Sequence, residues 1–311
     1  MMLNKEPLVG DSLKGLEVVD ELQRLGISYH FQMEINQMLE IINERFNNGE
    51  EGLEWNNNKS LYATSLHFRI LRQHGYHIPQ DVFKQFKNEI ENLTCNCKDK
   101  AKEMLSFYEA SFLAMEDESF MDEQRQFAIQ HLSKYLKSNN NDQIICTKIR
   151  HALQLPFHWR MSRLEARWFI DNVYRTKPNS KSVLLDLAKL DFNIVQSIHQ
   201  DDLKDVSSTE YFLEEAKRGE VANSIQCLMN DTGVSEQEAR LYIEDLIVES
   251  WKKLNDEVQT WNNSPLLSKG FIEIVLNVAR ISHTVYEHRD GHTVEDHETK
   301  DRVLSLFIKP A

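Results

Sequence analysis

Leu155-Pro156-Phe157-His158-Trp159-Arg160-Met161-Ser162-Arg163-Leu164-Glu165-Ala166-Arg167-Trp168-Phe169-Ile170 is the stretch that sets the fold class. Pro156 punctuates the chain, and Ser162 stands three residues before Glu165. That spacing is the pattern of a capping box, in which a hydroxyl and a carboxylate satisfy the free N–H groups of a first helical turn. A helix is therefore predicted to open at Ser162. The same reading extends in both directions. Ile35, Met38, Leu39 and Ile42 fall at i, i+3, i+4 and i+7, and so do Ala101, Met104, Leu105 and Tyr108, continuing to Phe112 and Met115. Phe271, Ile274, Val275 and Val278 repeat the pattern. Ser235 with Glu238 forms a second capping box, and Gly75 stands where a helix ending near Gln73 needs a left-handed residue. Convincing β alternation is missing. With 10 Gly and 6 Pro in 311 residues, turns are few per unit length, which favours long helices. The prediction is an all-α protein of roughly twelve to sixteen helices. No fixed period appears, which argues against a regular solenoid.

Composition narrows the function classes. Apolar residues make up 41% of the chain, enough for a real core, so disorder is excluded as the class. A net charge of −13 argues against nucleic acid or an acidic membrane surface as partner. Cys95 and Cys97 are too close for a metal knuckle and no second pair follows. With Cys146 and Cys227 they are expected to be free thiols. No apolar run reaches the ~18 residues needed to span a bilayer. The opening Met1-Met2-Leu3-Asn4-Lys5-Glu6 has neither signal-peptide nor transit-peptide character. As it stands, the sequence reads as cytoplasmic. Loop signals at Gly49–Gly52, Lys137–Asp142 and Lys177–Ser180 divide the chain, and the last places a domain boundary near residue 180.

The block at 155–170 closely resembles the LPxHWRxxRxEARWFI segment of plant terpene synthases. Further stretches carry the same resemblance: Asp20–Phe31, Leu61–Tyr76, Phe107–Ser111, Ala188–Asn193, Trp251–Asn255, Ala279–His283 and Arg302–Leu304. By this resemblance residues 1–180 are an N-terminal α-barrel domain. Residues 181–311 are a truncated class I helical bundle, the metal-binding C-terminal domain. After Val206 the family continues with a Trp-rich helix, an Arg-x-Arg loop and a DDxxD helix. This sequence instead passes through Ser207 and Ser208 to Arg218-Gly219-Glu220, which is similar to the stretch just after the family's second metal motif. An internal deletion near residue 207 is the expectation. The resemblance also implies a monoterpene or hemiterpene-like clade, and a plastid location if the family's usual N-terminal extension is missing.

The family's chemistry separates a diphosphate from an allylic cation. Mg²⁺ or Mn²⁺ ions held by carboxylates on two facing helices neutralise the leaving group, and an apolar pocket keeps the cation from water. On the resemblance, Glu215 matches the last ligand of the second metal motif, while Ser207, Ser208 and Tyr211 occupy the other positions. Asn223 falls at a diphosphate-binding position. Tyr286 and Asp290 match a Tyr-xxx-Asp pair lining the catalytic floor. Asp201-Asp202-Leu203-Lys204-Asp205 satisfies DDxxD as a pattern, with Asp201 and Asp205 on one helical face. It stands, however, where relatives carry a non-catalytic acidic stretch, so an exposed helix end is expected. His283, His288, His292 and His297 lack the further ligands a Zn site needs.

The reading is a terpene synthase homologue, with a prenyl diphosphate as the family's substrate, whose deletion has removed activity. One alternative is an active Mg-dependent synthase making an acyclic product such as ocimene, or isoprene. Another is a non-catalytic splice product that associates with full-length synthases. The apolar faces of Ile243–Leu254 and Phe271–Ala279 are expected to be exposed and to promote self-association.

Overall fold

The computed structural model describes residues 12–48, 60–92, 97–138, 142–176, 181–207, 224–262, 267–286 and 297–311. Among them every regular element is a helix and there is no strand. In chain order the α-helices are α1 (Ser12–Arg24), α2 (Gln32–Asn47), α3 (Leu61–Gln73), α4 (Lys87–Asn92), α5 (Lys98–Ser111), α6 (Ser119–Lys137) and α7 (Gln143–Gln154). They continue as α8 (Ser162–Asn172), α9 (Ser182–Ser207), α10 (Ser224–Thr232), α11 (Glu236–Asn262), α12 (Lys269–Tyr286) and α13 (His297–Phe307). Four short 3-10 turns join them, one of them Phe157–Trp159.

Helix α3 is the axis of the N-terminal half. The Ser60 hydroxyl accepts from the Ala63 N–H at its start, and Gly75 at φ 87° ends it, as its sequence predicts. Every residue from Ala63 to Arg72 is buried. Helix α3 packs on α1 and α5, and α5 in turn packs on α6 and α7. Phe68, Phe83 and Phe107 meet edge to face at 5.0 and 5.2 Å, a favourable aromatic arrangement.

Helix α8 links the halves. It packs on α1 within the N-terminal helices and on α9 and α13 beyond them. Helices α11 and α12 pack as neighbours, and α12 lies against the Phe157–Trp159 turn.

Helical periodicity is borne out at Ile35, Leu39 and Ile42, and at Ala101, Met104, Leu105, Tyr108 and Phe112, all buried. One reading needs correction. Ser162 is already the first residue of α8 and makes no capping bond. Glu165 is drawn inward instead, to Arg24 and His151. An exposed helix-end N–H can turn to water, whereas a buried charge left unpaired costs several kcal/mol, so the ion pairs win. The Ser235–Glu238 box does form, with the Glu238 carboxylate accepting from Ser235 N–H at 2.9 Å. In α12 the inward face is Ile272 and Leu276, while Phe271, Ile274 and Val278 are exposed. The apolar stripe read from the sequence is therefore real but faces solvent, as expected for a helix made for a larger bundle.

Candidate functional site

The block at 155–163 is built into two charged clusters and one interface. In the first cluster Arg24 reaches Asp20, Glu109 and Glu165 from α1, and Arg69 from α3 also reaches Asp20. His151 donates to the second Glu165 oxygen at 2.7 Å. Burial pushes the Asp20 and Glu165 carboxyls up. Arg24 and Arg69 around Asp20, and His151, Arg24 and Arg160 around Glu165, outweigh it, and both groups sit below their usual values. The Phe157 ring lies under the Arg24 guanidinium, 4.5 Å from its centroid. In the second cluster Arg163 donates to Asp191 of α9 at 2.8 Å, and Tyr29 and His30 reach the other Asp191 oxygen.

The interface carries His158 and Trp159 onto α11 and α12. Asn255 of α11 donates its amide to the carbonyls of Phe112 and Ala114, so its oxygen accepts from His158 Nε2 at 3.0 Å. Trp159 stacks on Trp251 at 5.4 Å. Arg280 of α12 donates to the His158 carbonyl at 3.0 Å, Lys252 to Asp122 at 2.9 Å, and Gln259 to the Gly75 carbonyl at 2.9 Å.

Beside this interface lies a cavity of about 610 Å³ lined by His74, His158, Arg163, Asn255, Lys269 and Arg280 among others. Glu273 is the one acid among its lining residues. Burial, reinforced by Arg280, lowers His158 to about 3, and burial with Lys269 lowers His74 to about 4. Both imidazoles are neutral at pH 7, and His158 Nδ1 is a buried acceptor without a partner. A basic lining with a single carboxylate does not suit a divalent cation.

The predicted site residues are not brought together within the described residues. Asp201 and Asp202 are exposed near the end of α9, as expected of a charged helix end. Asp205 lies on the same helix and Tyr286 ends α12, with neither side chain described. Glu215, Asn223 and Asp290 fall outside the described residues. Among the described residues no three His, Cys, Asp or Glu side chains gather as a metal site. Cys97, exposed, and Cys146, buried, are free thiols.

The fold is all-α and the site joins an N-terminal helical body to a C-terminal helical hairpin. Its relatives are as specific. Residues 1–153 match the family model for the terpene synthase N-terminal domain, and residues 209–253 match terpene synthase family 2, C-terminal metal binding. A chloroplastic myrcene synthase from Quercus ilex is 30% identical over 508 residues, covering 100% of this chain and 83% of the relative. A (−)-alpha-terpineol synthase from Vitis vinifera is 30% identical over 506 residues, covering 98% and 84%. The crystal structure of isoprene synthase from grey poplar leaves superposes with a TM-score of 0.80 at 24% identity, covering 98% of this chain and 93% of that one. The chain belongs to the terpene synthase family. The isoprene synthase has also been solved with three Mg²⁺ ions and dimethylallyl-S-thiolodiphosphate, with a TM-score of 0.77. The described residues of this chain offer no counterpart to a site for those ions.

Proposed function

We propose that this chain is a terpene synthase homologue that no longer turns over prenyl diphosphates, because an internal deletion has removed most of its ionisation machinery. The observation that carries this reading is one of length. Alignment to the myrcene synthase runs over 508 residues and uses all of this chain, yet the chain has 311. The residues of the relative left over have no partner here. Consistent with this, the sequence contains no Arg-x-Arg pair and no DDxxD other than Asp201–Asp205.

On this reading residues 1–180 are the α-barrel domain and 181–311 the shortened catalytic domain. Glu215, Asn223, Tyr286 and Asp290 are remnants of the metal, diphosphate and floor positions, and Mg²⁺ is not productively held. The apolar faces left without cover promote self-association. Relatives named chloroplastic favour the plastid. The test is product detection by gas chromatography after incubation with geranyl, dimethylallyl or farnesyl diphosphate and Mg²⁺ or Mn²⁺. No terpene above the no-enzyme control is expected. Metal-dependent product would overturn the reading in favour of an active synthase.

A further inference from the structure

Helix α12 is apolar on two sides. Ile272 and Leu276 are buried against the rest of the protein, while Phe271, Ile274, Val278 and Ile281 are 46%, 63%, 59% and 45% exposed. Lys269, Glu273 and Arg280 are the only Lys, Arg, Asp or Glu residues between Lys269 and Tyr286. A helix apolar nearly all round belongs in an interior, so one side of α12 lacks cover among the described residues. The exposed side has a specific form. Its four residues are spaced three, four and three apart, the a/d repeat of a coiled-coil seam. The positions flanking that seam are Val275, Asn277, Ser282 and Thr284, all uncharged. A copy of the same helix therefore meets no like charge at the contact, despite the net charge of the chain.

We propose that α12 packs on α12 of a second copy about a two-fold axis, making this chain a dimer; the proposal deepens the self-association reading above. An antiparallel pair opposes the helix dipoles and is an isologous contact that closes on itself. Centred near Leu276, it sets Phe271 of each copy against Ile281 of the other, and Ile274 against Val278. Glu273 and Arg280 are related by nearly the same centre, so that opposite charges lie on the outer edges of the contact. Extent is adequate. The helix is about 27 Å long. Its four seam residues expose roughly 400 Å² of apolar surface, within the range for a monomer's largest patch. A standard interface takes about 800 Å² from each partner, and the exposed Asn277 and Ser282 with the half-buried Val275 and Thr284 beside the seam add to this contact.

The experiment is sedimentation velocity of the whole chain across a concentration series, with Ile274→Lys and Val278→Glu variants separately and mixed. Both positions are exposed, so neither change disturbs the core, and circular dichroism of each variant checks that helicity is kept. The expected result is a discrete dimer for the parent chain, monomers for each variant alone, and dimers again in the equimolar mixture, where the introduced lysine of one copy meets the introduced glutamate of the other. A dimer indifferent to both substitutions overturns the α12 seam while leaving self-association standing, as does a broad distribution of larger species. A parent chain that stays monomeric at all concentrations overturns both. Loss of turnover is measured separately and is untouched by any of these outcomes.

Discussion

His158 Nε2 donates to the Asn255 oxygen across 97 residues of chain, at 3.0 Å and with both residues buried. The orientation of that amide is fixed, because its nitrogen is committed to two carbonyls of the segment after α5. One side chain thus holds the α11 hairpin to two separate parts of the N-terminal helices. Asn255→Ala leaves a ring N–H and two carbonyls in the interior without partners. Each such orphan costs about 1–3 kcal/mol, partly relieved where water enters. A loss of about 3 kcal/mol is expected in urea unfolding, with the near-ultraviolet signal of the Trp159–Trp251 stack changing in step. A loss below about 1 kcal/mol would show that the interface is held elsewhere.

Buried imidazoles make stability depend on pH. His67 and His158 are held at about 3 and His74 at about 4, in each case first by burial. All three are neutral in the folded chain at pH 7 and regain a value near 6.5 when unfolded. Well above pH 6.5 neither state binds the proton, so these groups contribute no pH dependence there. As pH falls below 6.5 the unfolded state takes up protons that the folded state cannot, and stability drops. With three such groups the slope approaches about 4 kcal/mol per pH unit. Below the carboxylate range Asp20 and Glu165 add to the loss, since their folded values are depressed and their stabilisation disappears as pH falls through them. Denaturant midpoints between pH 7.5 and 5 should fall steeply, and His67→Gln should flatten the curve. A midpoint constant over that range would contradict the neutral assignment.

Gly26 joins α1 to the next turn at φ 72°, and a Cβ there would meet the Ala166 Cβ at 2.9 Å. An L-residue in the left-handed region costs roughly 1–2 kcal/mol, and here the neighbour is a short side chain on α8 that cannot swing away. Gly26→Ala should destabilise by about 2–3 kcal/mol. Gly233, also at positive φ, has nothing within 4 Å of such an atom, so Gly233→Ala should cost only the backbone part. Comparing the two variants by thermal unfolding separates crowding from strain.

Local signals in the sequence are legible where nothing distant competes. The end of α3 at Gly75 and the Ser235–Glu238 box depend on neighbours within a few residues, and both form. The Asp201–Asp202 stretch is legible for the same reason, as a charged helix end with exposed side chains. Ser162 with Glu165 fails because its carboxylate is claimed by Arg24, 141 residues away in sequence. The cavity beside Asn255 has no local signature at all. His74, Arg163 and Arg280 come from three separate parts of the chain with no shared spacing, and only the packing of α11 and α12 brings them to one surface. The family block does point to the place, since His158 and Trp159 belong to it.

Metal and diphosphate should leave the folded chain unchanged. Neutralising a diphosphate leaving group needs cations fixed by two carboxylate walls. Asp201 and Asp202, exposed on α9, offer neither the enclosure nor the geometry. A ligand that binds the folded state raises stability by RT ln(1 + [L]/Kd), about 2.7 kcal/mol at a hundredfold excess over Kd, which in a chain of this size is a shift of a few degrees. Millimolar Mg²⁺ with inorganic diphosphate should therefore move the melting temperature by less than about 1 °C, and EDTA should not lower it. The result that would sink this expectation is a diphosphate- and metal-dependent rise of several degrees. Asp201→Ala, Asp202→Ala and Asp205→Ala would then locate it. Loss of the shift in those variants would assign the metals to the end of α9, and its persistence would assign them to Glu215 and the residues around it.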